Sequence, residues 1–341
     1  MRLSVVITNH NYARFLPAAV ASAAAQTYGD TEVIVVDDGS TDDSERVLSA
    51  LPPGITVLRQ RHAGQGAAFN AGLRQATGDV VMFLDADDRL HPDVGQRVMA
   101  LMRADQEVVR VQFLLRLIDA DGRWLGSTLP ARAAELSCGD LRARLEGHPD
   151  DVPWQPTSGN AFRRTALDRI FPMPDEPYRI CADYYLSNLV PWLGRVGVLA
   201  RPGGDYRLHP DNGEYSEALV LDRLRANLLR TVHTHRAARA LAAGVRPTSL
   251  PEDPWEVRSV TFMANRLVSL RLDRRTHPRP GDTRWGLLRR GVLSSCGRFD
   301  LSWPARLARS AWFVVLALCP ARALGAVVHP YVRRARLGRA T

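Results

Sequence analysis

Residues 1–90 alternate between short apolar runs and longer segments in which apolar residues recur every third or fourth position. Leu3-Ser4-Val5-Val6-Ile7, Glu32 to Val36, Ile55 to Leu58 and Val80 to Leu84 are rich in β-branched residues and predict buried strands. The segments between them, Phe15 to Gln26, Asp42 to Ala50 and Gln65 to Ala76, predict helices, the first with Pro17 near its start. Such alternation predicts an α/β fold, a mostly parallel sheet with helices on both faces. Ligands bind such sheets beyond the carboxyl ends of the strands. The polar clusters Thr8 to Asn11, Asp37 to Ser40 and Asp85 to Asp88 all fall there, so they are expected to converge on one site.

From about 107 the pattern changes. Val108 to Leu117 and Arg123 to Leu125 predict strands around an Asp119-Ala120-Asp121-Gly122 turn, and a loop rich in Pro, Trp and Gly follows at 149–160. This half is expected to shape an acceptor site. Beyond 220 the periodicity is helical, over Asp222 to Ala243 and Trp255 to Leu272, with a Pro-rich linker from Pro247 to Pro254. The expected organisation is a catalytic domain over 1–220, divided into nucleotide (1–105) and acceptor (106–220) halves, and a basic helical region over 221–341.

Composition sharpens the picture. The 341 residues, 45% apolar and 24% charged, suit a globular chain with room for two domains. All 45 basic residues are arginine, which excludes a Schiff-base lysine and a Walker-type phosphate loop. Net charge is −4 over 1–130, −3 over 131–220 and +16 over 221–341. An acidic front with a basic tail predicts a catalytic body carrying an electrostatic docking segment. No stacking or basic motif in the first 220 residues points to nucleic acid. Cys138, Cys181, Cys296 and Cys319 are too scattered for a CxxC-type metal site or a disulfide framework, and the first apolar run is too short for a signal peptide. These features predict a cytoplasmic protein.

Asp85-Ala86-Asp87 sends two carboxylates into one small loop past a buried strand, a hard oxygen set suited to Mg²⁺ or Mn²⁺ on a diphosphate; an acidic surface turn has the same sequence. Its context separates the two. Val5-Val6-Ile7-Thr8-Asn9-His10-Asn11, Val35-Val36-Asp37-Asp38-Gly39-Ser40-Thr41-Asp42, Asn70-Ala71-Gly72-Leu73 with Gly78-Asp79, and Phe83-Leu84-Asp85-Ala86-Asp87-Asp88 together resemble inverting glycosyltransferases of family 2, with the GT-A fold. By that resemblance Thr8 and Asp38 hold the base of a nucleoside diphosphate sugar, UDP-type, Asp85 its ribose and Asp87 the metal. His10 stands where the family commonly has Tyr or Phe, and its ring can also stack on a base.

The resemblance continues more weakly to about residue 215. Cys181-Ala182-Asp183-Tyr184-Tyr185-Leu186 is similar to the family's Glu-Asp-x-x-Leu segment, which makes Asp183 the implied general base; Ala182 replaces the preceding acid. A carboxylate opening a helix is the competing reading. Tyr206-Arg207-Leu208-His209 is similar to a late Tyr-Arg-x-His segment, implying His209 as a metal ligand and Arg207 as a partner of the diphosphate. Thr157 to Arg164 resembles the segment lining the acceptor side of the donor site, with Gly159 and Asn160 as candidates, and Trp154 is a candidate sugar-stacking residue.

In the tail, Ala311 to Cys319 and Ala323 to Val328 are apolar, interrupted by Pro320 and Arg322 and flanked by Arg306, Arg309, Arg333, Arg334 and Arg336. Neither run reaches the length of a span; a peripheral anchor at an anionic membrane surface and helices packed on the body both fit. The sequence thus predicts a metal-dependent, inverting, hexosyltransferase-type enzyme acting on a glycan or lipid-linked acceptor in bacterial surface polysaccharide or glycolipid synthesis. The rivals are a nucleotidyltransferase, which usually needs a Gly-rich loop and a lysine, and a non-catalytic scaffold with a basic tail.

Overall fold

Three of the four apolar runs, Leu3 to Ile7, Val33 to Val36 and Val80 to Leu84, are buried on both faces, which removes the inside–outside alternation of a half-exposed sheet, while Ile55 to Leu58 is partly buried at the sheet edge. In the computed structural model, which describes residues 1–147, 155–210, 221–245, 248–297, 302–324 and 327, Val5, Val6, Ile7, Val35, Val36 and Val80 to Leu84 are all buried. Trp154 and arginines 333, 334 and 336 lie outside the described residues. The chain forms two compact units, residues 1–141 with 153–212, and residues 142–152 with 213–341.

The first unit opens with β1 (Leu3–Asn9), α1 (Leu16–Ala24), β2 (Thr31–Asp38), α2 (Ser44–Ser49), β3 (Ile55–Gln60), α3 (Gln65–Gln75) and β4 (Val80–Asp85). It continues with β5 (Arg89–Leu90), α4 (Val94–Ala104), β6 (Val108–Ile118) and β7 (Trp124–Leu129). After α5 (Arg142–Gly147), which groups with the second unit, come β8 (Asn160–Arg163), α6 (Arg164–Leu167), α7 (Ala182–Leu189) and β9 (Arg195–Arg207). The sheet order is β3-β2-β1-β4-β8-β6-β9-β5, with β7 paired to β6. The first four strands are parallel and β8 is antiparallel to both its neighbours. After β1 the chain moves to β2 and β3 on one side and returns to β4 on the other, which opens a crevice at the carboxyl ends of β1 and β4. Thr8 is level there with Asp85 on one side and Val36 on the other.

The second unit contains α8 (Leu221–Ala243), α9 (Val260–Leu272), α10 (Arg284–Cys296) and α11 (Trp303–Leu318). Ser259 and Thr283 start α9 and α10, each hydroxyl accepting from the amide three residues on. The apolar core draws on α8 through Leu228, on α9 through Phe262 and Leu267, on α10 through Leu287 and on α11 through Phe313 and Leu316. Gly291 of α10 lies against Phe313, whose ring atoms come within 2.2 Å of where a Cβ would stand, so only glycine allows this approach. Beneath the core, buried Asp282 accepts from Arg266 Nε at 2.9 Å and meets His277 Nε2 at 2.9 Å.

Candidate functional site

The loop after β1 is tied to the loop after β2 by side chains that the sequence places at the strand ends. Asn9, 1% exposed, donates to Asp37 Oδ1 at 2.8 Å, Ser40 Oγ at 3.1 Å and Ser44 Oγ at 2.9 Å. Asn11, with φ of 61°, accepts from the Thr41 amide at 2.7 Å. This lacing fixes Asp38, whose Oδ1 accepts from Gln60 Nε2 at 2.7 Å and the Ala63 amide at 2.8 Å, while Oδ2 accepts from the Gly64 amide at 2.8 Å. His62 Nδ1 stands 3.0 Å from Asp38 Oδ2, and its ring stacks on His10 with centroids 4.1 Å apart. His10 Nδ1 lies 2.8 Å from the Asp38 carbonyl oxygen. Candidate ligand atoms of His10, Asp38 and His62 all lie within 4.8 Å of one another.

The acidic turn after β4 forms a second group. Asp87 is 7% exposed and its Oδ2 lies 3.0 Å from His209 Nε2, whose ring packs against Phe15 and Tyr12. Asp88 is 1% exposed and accepts from the Arg207 amide at 2.9 Å. Burial, and next the neighbouring Asp87 and Asp85 charges, push the Asp88 carboxyl well above the usual carboxylate range. Asp87 and His209 fit a divalent cation: adjacent ligands about 2.1 Å from one octahedral ion stand about 3 Å apart, and one imidazole with carboxylate oxygens suits Mn²⁺.

The expectation for Arg207 is corrected. Its guanidinium donates to the carbonyl of Asp87 at 2.7 Å and to those of Ala120 and Asp119 at 3.1 and 3.3 Å, and it lies 4.9 Å over the Phe15 ring. It braces the acidic turn from behind. Asn160 is also turned inward: at 1% exposure, its amide donates to the Pro156 carbonyl and its oxygen accepts from Arg110. Gly159 is buried in the turn Thr157–Gly159, facing Leu115 and Gln155, while Ser158 beside it accepts from the Asp85 amide at 3.2 Å.

Asp183 lies in the first turn of α7, 7% exposed, behind Cys181 in the left-handed region at φ 60°. Two residues that sequence reasoning passed over connect it to the rest. Gln65, at the start of α3, donates to Asp85 Oδ1 at 3.1 Å and accepts from the Ala182 amide at 2.9 Å, so one side chain joins the acidic turn to the helix that carries Asp183. Arg110, fully buried on β6, donates to Asn160 Oδ1 at 2.9 and 2.7 Å and to the Ser187 carbonyl at 3.4 Å. Burial pushes its guanidinium down to about 10, against the opposing pull of the Asp183 charge. Arg110 and Gln112 carried a sequence signal, two polar residues inside an otherwise apolar strand. Gly64 makes the docking possible. With φ of 97°, it places a Cβ-free backbone against Arg179, and the Gln65 and Gly66 amides donate to the Arg179 and Tyr178 carbonyls at 2.8 and 3.0 Å.

The site therefore gathers Thr8, Asp38, Asp85, Asp87 and His209 along the strand ends, with Asp183 linked through Gln65. Among solved structures, the chain is similar to TarS of S. aureus in complex with UDP, with a TM-score of 0.55 at 15% identity over 98% of this chain and 92% of that one. It is also similar to the mannosyltransferase PcManGT of Pyrobaculum calidifontis in complex with GDP-Man and Mn²⁺, with a TM-score of 0.50 at 18% identity over 98% and 85% of the two chains. These likenesses establish the GT-A fold. Among curated proteins it is 38% identical over 224 residues to an uncharacterized glycosyltransferase of Nostoc sp., covering 64% of this chain and 68% of that protein. It is 30% identical over 233 residues to the succinoglycan biosynthesis protein ExoO of Rhizobium meliloti, covering 66% and 65%. The model of glycosyl transferase family 2 matches residues 4–171, and with the Nostoc relative this shows that the chain belongs to that family of glycosyltransferases.

Proposed function

We propose that this glycosyltransferase moves a hexose from a nucleoside diphosphate sugar, UDP-type, to a hydroxyl of a glycan or lipid-linked acceptor, with inversion and with the help of Mn²⁺ or Mg²⁺. The observation that carries the reading is the link through Gln65 between Asp85 and the start of α7, because it puts a buried carboxylate, Asp183, into the same construction as the acidic turn. A sugar hydroxyl is a poor nucleophile until a base takes its proton, and inversion requires that base on the face opposite the leaving group.

In this reading Asp183 accepts the proton of the acceptor hydroxyl while its oxygen bonds to the anomeric carbon. The bond from that carbon to the diphosphate oxygen breaks, and the electron pair leaves with the nucleoside diphosphate. Asp87 and His209 are the residues that would hold the cation, whose chemistry is to neutralise charge on the departing diphosphate. Asp38 and His10 face the base, with Thr8 beside them, and Asp85 faces the ribose. Arg207 and Asn160 act on the frame, holding the acidic turn and the β8 entry.

ExoO, named for succinoglycan biosynthesis, supports a role in bacterial surface polysaccharide or glycolipid assembly, and nucleotide-sugar chemistry supports a cytoplasmic setting. Release of free nucleoside diphosphate from a panel of nucleotide sugars, with and without acceptor extracts, tests the reading. Asp183→Asn is expected to retain donor binding and lower transfer by about two to four orders of magnitude. A variant that lost donor binding but kept its turnover per bound donor would assign the base to another carboxylate.

A further inference from the structure

Helix α11 is inverted relative to an ordinary surface helix. Its exposed positions are Trp303, Pro304, Leu307, Ala308, Ala311, Val314, Val315 and Leu318, and every one is apolar. Trp303, Leu307, Val315 and Leu318 are 63, 50, 46 and 55% exposed. Their spacing of three and four residues lines them along one side of the helix for its whole length of 16 residues, roughly 24 Å. The opposite side is apolar in its second half, where Phe313, Leu316 and Ala317 are buried in the core of the unit. The helix is anchored by its inner side and offers the outer one. Arg271 of α9 fastens its end by donating to the carbonyls of Leu316 and Cys319. The helix ends at Cys319-Pro320, and among the described residues no helix is long and apolar enough to cross a membrane.

An apolar face this continuous needs a cover, and the charge around it selects one. From Thr283 to Thr341 the chain has eleven arginines and a single acid, Asp300. Arg289 and Arg290 are exposed on α10, and Arg306 and Arg309 lie half-buried in the first half of α11, on the side that carries Phe313 and Leu316 further along. Arginines bordering an apolar strip match the layered chemistry of an anionic bilayer surface, with phosphate outside and acyl chain beneath. A second copy of the chain would bring equally basic borders against these, which like-charge repulsion opposes.

We propose that the outer face of α11, with Trp303, Leu307, Val314, Val315 and Leu318 as its inserting residues, docks the protein onto an anionic membrane surface without spanning it. This inference is independent of the catalytic assignment, since none of these residues belongs to the sheet-bearing unit.

The test uses the full chain and vesicles of neutral phosphatidylcholine alone or with an added anionic lipid. The full chain is expected to co-sediment with the anionic vesicles, and tryptophan emission is expected to shift to the blue. Leu307→Gln with Val315→Gln changes two exposed side chains and should leave the melting temperature unaltered, yet lower partitioning by at least about a hundredfold, given the worth of burying two such side chains. Arg306→Gln with Arg309→Gln should weaken binding about fivefold per charge at low salt and much less at high salt. Three results overturn the proposal: a full chain that stays in the supernatant with anionic vesicles, a Leu307→Gln/Val315→Gln variant that binds them as tightly as the parent, or a stable dimer that this variant dissociates, which would give the face to a second copy.

Discussion

Replacing Arg110 with methionine tests whether the buried guanidinium is the counterweight of Asp183. Methionine keeps the length and flexibility of the stem, so the loss is concentrated in the charged head. That head is fully buried and donates twice to Asn160 Oδ1, at 2.9 and 2.7 Å, and to the Ser187 carbonyl. Removing it strands the Asn160 oxygen, at a cost of about 1–3 kcal/mol, and takes the nearby positive charge from a carboxylate that is itself 7% exposed. Losing one partner of a buried charge pair costs about 3–5 kcal/mol, and we take that range for the whole change. In a unit of about 200 residues each kcal/mol is worth about 2–4 °C, so the transition of the sheet-bearing unit should fall by roughly 6–20 °C in scanning calorimetry. The informative measurement is the double variant. In the Arg110→Met background, Asp183→Asn removes the stranded negative charge and should recover about 1–3 kcal/mol of what the first change lost. If the two substitutions are additive within about 0.5 kcal/mol, or if Arg110→Met costs less than 1 kcal/mol, the pair is not coupled and the reasoning fails.

Asp87→Asn should leave the melting temperature close to that of the parent but lower Mn²⁺-dependent affinity for UDP at least tenfold by isothermal calorimetry; unchanged affinity would remove Asp87 from the cation site. Gly64→Ala puts a Cβ about 2.6 Å from Arg179 backbone atoms at a φ of 97°, so it should destabilise the unit by about 2–4 kcal/mol and expose residues 178–182 to faster hydrogen exchange, whereas a silent substitution would contradict the close docking. Asp205 is held below the usual carboxylate range by hydrogen bonds and charges from His91 and Arg116, which outweigh its burial. A depressed carboxylate stabilises above its unfolded pKa and loses that contribution as pH falls toward the folded value. Asp205→Asn should therefore be less stable than the parent at pH 7, with the gap in urea midpoint closing below about pH 4; a gap independent of pH would refute this.

The strands that reach the donor side were legible because they are short, doubly buried and closed by turn residues, so their ends marked the polar clusters without any knowledge of pairing. β9 was not. Its sequence, Arg195 to Arg207, contains Pro202, Gly203 and Gly204, which interrupt the alternation, and its pairing with β6 shifts register along the way. Only that long-range pairing brings His209 to Asp87. α4 had a readable spacing, Val94, Val98, Leu101 and Met102, obscured by Pro92 just ahead of it. The role of Gln65 depends on a contact 117 residues away, and no local pattern encodes it. Arg207 shows the opposite failure: its motif was visible, but whether a guanidinium faces outward to a ligand or inward to carbonyls is decided by Phe15 and the turn at Asp119–Ala120, elements far away in sequence.

Under the proposed donor assignment, the lacing around Asp38 makes entry of the base an exchange. A carboxylate has room for about four donors, and here Gln60, Ala63, Gly64 and His62 already fill it. Three of these belong to the frame of the loop. His62, half exposed, stacks on His10 and meets Asp38, the two side chains assigned to the base in the proposed reading. A base that uses Asp38 must evict the histidine, so the free energy of recognition is a difference between two stacked, hydrogen-bonded states. The side chain that has to leave, as much as those that stay, then sets which bases are accepted and how quickly they enter.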